Sequence, residues 1–77
     1  MARAFIRICI NPGFEKKVRD HIRTLPECVS ADITAGEQDC VAQVKGKNFE
    51  DILSLVVNKI RSREGIKITW TNFILEE

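Results

Sequence analysis

The spacing of apolar residues along this chain switches repeatedly between every second position and every third or fourth, and each switch marks an element. Residues 4–10 (AFIRICI) place Ile6, Ile8 and Ile10 on one side and Phe5, Arg7 and Cys9 on the other. This alternation, rich in β-branched residues, predicts a strand. Asn11-Pro12-Gly13 interrupts it. Asn11 suits a helix N-cap and Pro12 the first helical position, where no backbone N–H is needed. Phe14, Val18, Ile22 and Leu25 then recur at helical spacing, with Glu15, Lys16, Arg19 and Arg23 turned away and Pro26 as the stop. Residues 28–35 alternate again, with Val29, Ala31 and Ile33 opposite Ser30, Asp32 and Thr34, and residues 39–45 form a third strand. The connection Gly36-Glu37-Gln38 between them predicts an antiparallel hairpin. Asn48 is placed to cap a second helix, with Asp51 favourable to its dipole. Its stripe is Phe49, Ile52, Leu53, Val56, Val57 and Ile60, which leaves Leu55 exposed. The helix is expected to run to about Arg61, with Gly65 terminating it, and residues 66–75 (IKITWTNFIL) make a fourth strand.

The order strand, helix, strand, strand, helix, strand predicts an α+β fold over residues 1–77. It is a ferredoxin-like βαββαβ sandwich: one domain with a four-stranded antiparallel sheet and two helices on one face. The opposite face is left bare. It carries Phe5, Cys9 and Val41, with either Phe73 and Leu75 or Trp70 and Ile74 depending on the register of the last strand. A domain this small buries only about 60% of the surface its unfolded chain exposes. A partly apolar bare face is therefore expected to be covered by a second sheet, giving a dimer as the smallest unit.

Charge and cysteine content narrow the function. The net charge is +1, and twelve basic residues are interspersed with eleven acidic ones. No stripe of Lys and Arg marks a nucleic-acid surface, and the third strand has no aromatic of the kind RNA-binding sheets stack on bases, which argues against Trp70 as such a platform. No apolar run approaches the roughly 18 residues needed to cross a bilayer. Cys9, Cys28 and Cys40 are odd in number and widely spaced, without a signal sequence, and read as reduced thiols in a cytoplasmic protein. With no C-x-x-C pair and one histidine, His21, a metal centre is not expected. His21 falls within the stripe of the first helix and reads as a packed side chain, with no nucleophile specified beside it. The expectation is no catalytic residue, no cofactor and no enzymatic activity.

The segment Thr34-Ala35-Gly36-Glu37-Gln38-Asp39 has two readings, a hairpin turn and nothing more, or a ligand site. Its glycine lets a ligand approach backbone groups, and Glu37 and Asp39 can meet an ammonium group.

Three runs carry a family resemblance: Pro12-Gly13-Phe14-Glu15-Lys16-Lys17-Val18, the Thr34–Asp39 hairpin followed by an apolar strand, and Gly65-Ile66-Lys67-Ile68-Thr69-Trp70-Thr71. In this order they resemble the ligand-binding (RAM) domain of the Lrp/AsnC transcription regulators, over essentially the whole chain. The resemblance implies a homodimer formed through sheet faces and assembled into higher rings, an octamer or decamer, with amino-acid effectors held between dimers. It implicates Gly36, Glu37 and Asp39, with Thr69, Thr71 and Asn72 as partners on the last strand. No residues are available for the family's helix-turn-helix, so the expected form is stand-alone, with no direct nucleic-acid binding and a role in modulating a full-length regulator of the family. Gln38 stands where the family often has an aromatic. Two rivals are an ACT-like amino-acid-binding domain, with contacts at Asn11 and Gly13, and a small dimeric ferredoxin-like enzyme using His21 or a cysteine.

Overall fold

Strand β1 spans Ala2–Ile10 and is followed by helix α1 (Glu15–Arg23), strands β2 (Cys28–Ile33) and β3 (Cys40–Gly46), helix α2 (Phe49–Leu55) and strand β4 (Ile66–Ile74). The structure, a computed structural model, describes residues 1–75. The strands form one sheet in the order β2-β3-β1-β4, with every neighbouring pair antiparallel. This is the ferredoxin-like βαββαβ sandwich expected from the order of elements.

Alternation decides what each strand buries. Ala4, Ile6, Ile8 and Ile10 of β1 and Cys40, Ala42 and Val44 of β3 point beneath the helices and are buried. They meet Val18 and Ile22 of α1 and Ile52 and Leu55 of α2 in a single core. Each fully buried isoleucine adds about 1.5–3 kcal/mol of hydrophobic stabilisation relative to an exposed one. No polar or charged residue is buried among those described.

Four local expectations are corrected. Asn11 does not cap α1. The helix begins at Glu15 behind Phe14 and has no side-chain cap, because Gly13 adopts a φ of +93°, which no helical turn accommodates. Asn11 instead donates its N–H to the Gly65 carbonyl at 2.7 Å and accepts the Phe14 N–H at 3.1 Å. In β2 the register shifts between Cys28 and Ser30, so Val29 leaves the inward row and is exposed, while Ile33 is 40% exposed at the sheet edge. A bulge inserts one residue and flips the row beyond it.

The remaining corrections concern α2. Asn48 caps it as expected, accepting the Asp51 N–H at 2.8 Å. The helix then widens into a π-helical segment, Val56–Ile60, closed by the Arg61 N–H on the Val56 carbonyl at 2.7 Å. Its buried residues are Ile52, Leu55, Val56 and Ile60, whereas Phe49, Leu53 and Val57 are 39%, 46% and 53% exposed. Leu55 lies about 60° from Ile52 around a helix and Leu53 about 100°, so rolling towards Leu55 buries the tighter group. Both flanks are apolar, and only the sheet beneath selects between them.

Candidate functional site

The hairpin loop between β2 and β3 folds back over the end of β1. Within it the Thr34 N–H donates to the Asp39 carbonyl and the Thr34 hydroxyl to the Gln38 carbonyl, both at 2.9 Å. Asp39 ties the loop to the sheet twice: its N–H donates to the Ile8 carbonyl at 2.9 Å, and its Oδ2 accepts the Ile10 N–H at 2.7 Å. Ile10 lies beyond the last β1–β3 pair, Ile8 with Cys40, and that carboxylate supplies the acceptor its N–H would otherwise lack. Gly36 has a φ of +139° with open space where a side chain would stand, and Glu37 is exposed beside it. The Glu37 carbonyl accepts the Cys9 thiol at 3.5 Å, which brings the loop to the bare face of the sheet.

Residues Thr69, Thr71 and Asn72 divide between two faces. Thr69 stands opposite Ile8 and Thr71 opposite Ile6, on the helix side, while Asn72 stands opposite Phe5 on the bare side. Asn72 is already engaged, its Oδ1 accepting from Arg7 Nε at 3.2 Å. One chain therefore brings Gly36, Glu37 and Asp39 together, leaves the two threonines as a separate pair across β4, and places Asn72 on the other surface.

The register of β4 settles which residues dress the bare face. Trp70 stands opposite Arg7 and Ile74 opposite Arg3, so Trp70 and Ile74 join Phe5, Cys9 and Val41 there, while Phe73 turns to the helix side opposite Ala4. Phe5, Ile68 and Trp70 are 42%, 50% and 41% exposed on this face of β1 and β4, with Arg7 and Asn72 beside them. The Arg7 guanidinium lies 5.3 Å from the Trp70 ring centroid, a cation–π contact that also positions Asn72. Alternation puts Arg7 on this face, but its contact with Trp70 depends on a strand register that spacing leaves open.

Groups assigned to the rival readings have structural partners. Asn11 is bound to Gly65, and His21 Nε2 donates to the Lys59 carbonyl at 2.9 Å, joining α1 to the end of the π-helical segment. Burial raises the Cys40 thiol above its ordinary range, with the Asp32 carboxylate adding to it; burial raises Cys28 too, partly offset by Arg23. The native state thus keeps both thiol protons at a pH where the unfolded chain begins to lose them. Their contribution to stability is full below the unfolded thiol pKa and falls as pH rises through the alkaline range. Cys40 is expected to resist a thiol-specific reagent at pH 8 until the protein is unfolded, as thiol counting with and without denaturant will show; labelling of Cys40 in the native protein contradicts this placement.

A shallow hollow of about 330 Å³ lies between α1 and the turn before β4, lined by Lys17, Val18, Ser62, Arg63 and Glu64. It contains none of Gly36, Glu37, Asp39, Thr69, Thr71 and Asn72. Among the described residues no three His, Cys, Asp or Glu side chains are grouped to hold a metal, and no helix is long and apolar enough to cross a membrane.

Comparison with known proteins converges on one family. The Lrp/AsnC ligand binding domain matches residues 3–77. An uncharacterised HTH-type transcriptional regulator of Pyrococcus furiosus is 29% identical over 76 residues, covering 92% of this chain and 51% of that protein. The chain spans about half the length of the curated relatives it matches. A solved structure from Thermus thermophilus superposes with a TM-score of 0.95 at 27% identity, covering all of this chain and 96% of that one. A transcriptional regulator of Neisseria meningitidis, solved as a complex with L-Met, superposes at 0.84 and 26% identity, covering 99% of this chain and 51% of its own.

Proposed function

Because the chain belongs to the Lrp/AsnC ligand-binding domain family, we propose that it is a cytoplasmic amino-acid receptor that works by self-association, regulating transcription rather than turning over a substrate. The observation that carries this reading is the bare sheet face. Phe5, Ile68 and Trp70 stand exposed on a domain of 77 residues, with the Asp39-anchored loop rising at the edge of the same surface. Packing two such faces together removes this apolar area from water, at about 25 cal/mol per Å². The separation of the six candidate residues into three groups supports a ligand held between dimers of a larger ring, where different copies contribute loop and strand. The L-Met bound by the Neisseria relative supports an amino acid as the ligand class. In this reading Glu37 and Asp39 meet the ammonium group, and Thr69, Thr71 and Asn72 supply polar contacts from β4.

The mechanism is linkage. A ligand that binds only the assembled form stabilises it by RT ln(1 + [L]/Kd), about 2.7 kcal/mol at a hundredfold excess over Kd. An assembly shifted in this way modulates a full-length regulator of the family by co-assembling with it. Calorimetry and light scattering against a panel of amino acids test the proposal: one or a few are expected to bind and to shift the particle mass or its thermal midpoint. A chain that stays monomeric at micromolar concentration and gives no heat with any amino acid sinks it.

A further inference from the structure

One carboxylate of this domain has no partner within it. Glu27 follows Pro26 at the foot of β2, where its carbonyl accepts the Lys45 N–H at 2.9 Å and fixes the backbone. Its side-chain Oε1 is buried and meets no donor, the one such side-chain nitrogen or oxygen among the described residues. Nor does Glu27 form an ion pair among those residues. Arg23, the basic residue nearest to it in the chain, is committed to β2 instead. Its Nε donates to the Ala31 carbonyl at 2.8 Å, and its Nη2 lies 3.4 Å from the Asp32 carboxylate. A carboxylate oxygen shielded from solvent and lacking a donor is destabilising, so a group that brings a donor to it is favoured.

Glu27 lines a hollow of about 250 Å³ whose other walls come from the second helix: Asp51, Ser54 and Leu55 of α2, and Asn58 and Lys59 of the π-helical segment. Leu55 is buried and supplies an apolar wall. Asp51 adds a second carboxylate. The Asn58 Nδ2 donates to the Ser54 hydroxyl at 3.1 Å, which leaves the Asn58 amide oxygen as an acceptor. Lys59 is held through its main chain, its carbonyl accepting His21 Nε2 at 2.9 Å. Two carboxylates against one lysine give the lining one net negative charge. The widened turn supplies two of these residues, and such turns are frequent at functional sites.

We infer that this hollow binds a small organic ammonium ion, a primary amine on a short aliphatic stem, with Glu27 Oε1 as the acceptor that fixes it. An ammonium carries three N–H donors, and the oxygens of Glu27, Asp51 and Asn58 receive them. Leu55 gives the methylene stem an apolar surface to lie on. One positive charge matches the net charge of the lining. A divalent metal ion fits less well, because Lys59 stands in the same lining and no third carboxylate joins the two among the described residues. The inference goes beyond the amino-acid reading and is independent of it: none of Gly36, Glu37, Asp39, Thr69, Thr71 and Asn72 lines this hollow.

Titration of the isotope-labelled full chain with n-butylammonium chloride, followed through its backbone amide resonances, tests the site. Saturable shifts are expected at Glu27, Asp51, Ser54, Asn58 and Lys59, with Gly36, Glu37 and Asp39 unmoved. Glu27→Gln keeps the side-chain shape and removes the charge, and is expected to weaken binding about tenfold or more. Glu64→Gln, which removes one charge at the other hollow, is expected to bind like wild type. Tetramethylammonium has the charge and the methyl groups but no N–H, and is expected to bind about tenfold more weakly or not at all. If Glu27→Gln does not fold, Asp51→Asn is read in the same way. The site is overturned if the shifts rise linearly without saturating, if Glu27→Gln binds as tightly as wild type, or if tetramethylammonium matches n-butylammonium. Magnesium chloride saturating the same resonances at lower concentration overturns the choice of an organic ammonium. A chain that ignores every amino acid but binds n-butylammonium at Glu27 removes the receptor reading and upholds this site.

Discussion

Replacing Gly65 by alanine is expected to cost about 3 kcal/mol or more, a large share of the roughly 4–12 kcal/mol available to a domain of this size. Two penalties combine. Gly65 has a φ of +94°, where a side chain costs about 1–2 kcal/mol. The added Cβ falls 2.6 Å from Cβ and Cγ of Phe14, whose ring packs against the core, and overpacking of this kind costs about 1–3 kcal/mol. The backbone cannot simply retreat, since the Gly65 carbonyl holds the Asn11 N–H at 2.7 Å. Thermal unfolding should show the midpoint lowered by roughly 15 °C. Gly36→Ala is the control: its φ is also positive, at +139°, but nothing lies within 4 Å of the new Cβ, so about 1 kcal/mol is expected. Equal losses at the two positions would show that the contact with Phe14 does not matter.

The second large effect is expected at Asp39. Alanine there leaves the part-buried Ile10 N–H without its 2.7 Å acceptor, and loss of a bond to a charged group costs about 1.5–3 kcal/mol. The loop that carries Gly36 and Glu37 is released with it, so amino-acid affinity should fall as well. Asp39→Asn separates the two roles. Asparagine keeps an acceptor for Ile10 but not the negative charge, so stability should fall by only about 1 kcal/mol while calorimetric affinity drops about tenfold or more. An asparagine variant that binds as tightly as wild type would remove Asp39 from the ligand site and leave it as a structural tie.

The parts of the fold legible in the sequence are those governed by a single period. The alternation of Ile6, Ile8 and Ile10, the Val18–Ile22 stripe and the Asn48 cap each have one solution, and the structure adopts it. What spacing does not resolve has two solutions of similar local merit. Residues 66–75 alternate apolar side chains on both faces, so pairing with β1 was needed to send Trp70 outward and Phe73 inward. The second helix has apolar residues on both flanks of its stripe, so the sheet decided that Leu55 is buried and Leu53 is not. The start of α1 turned on Gly13, whose positive φ holds the helix back to Glu15 and which local spacing does not mark as a break. In the candidate site, the loop residues were recognisable from composition and resemblance, whereas the double tie of Asp39 to Ile8 and Ile10 depends on a long-range meeting that no local pattern encodes.

The guanidinium of Arg23 has a consequence for how far such a molecule can grow. Its Nε donates to the Ala31 carbonyl at 2.8 Å, on the β2 edge of the sheet. A carbonyl held in this way is withheld from any incoming strand, so that border of the sheet does not template the stacking from which a fibre grows.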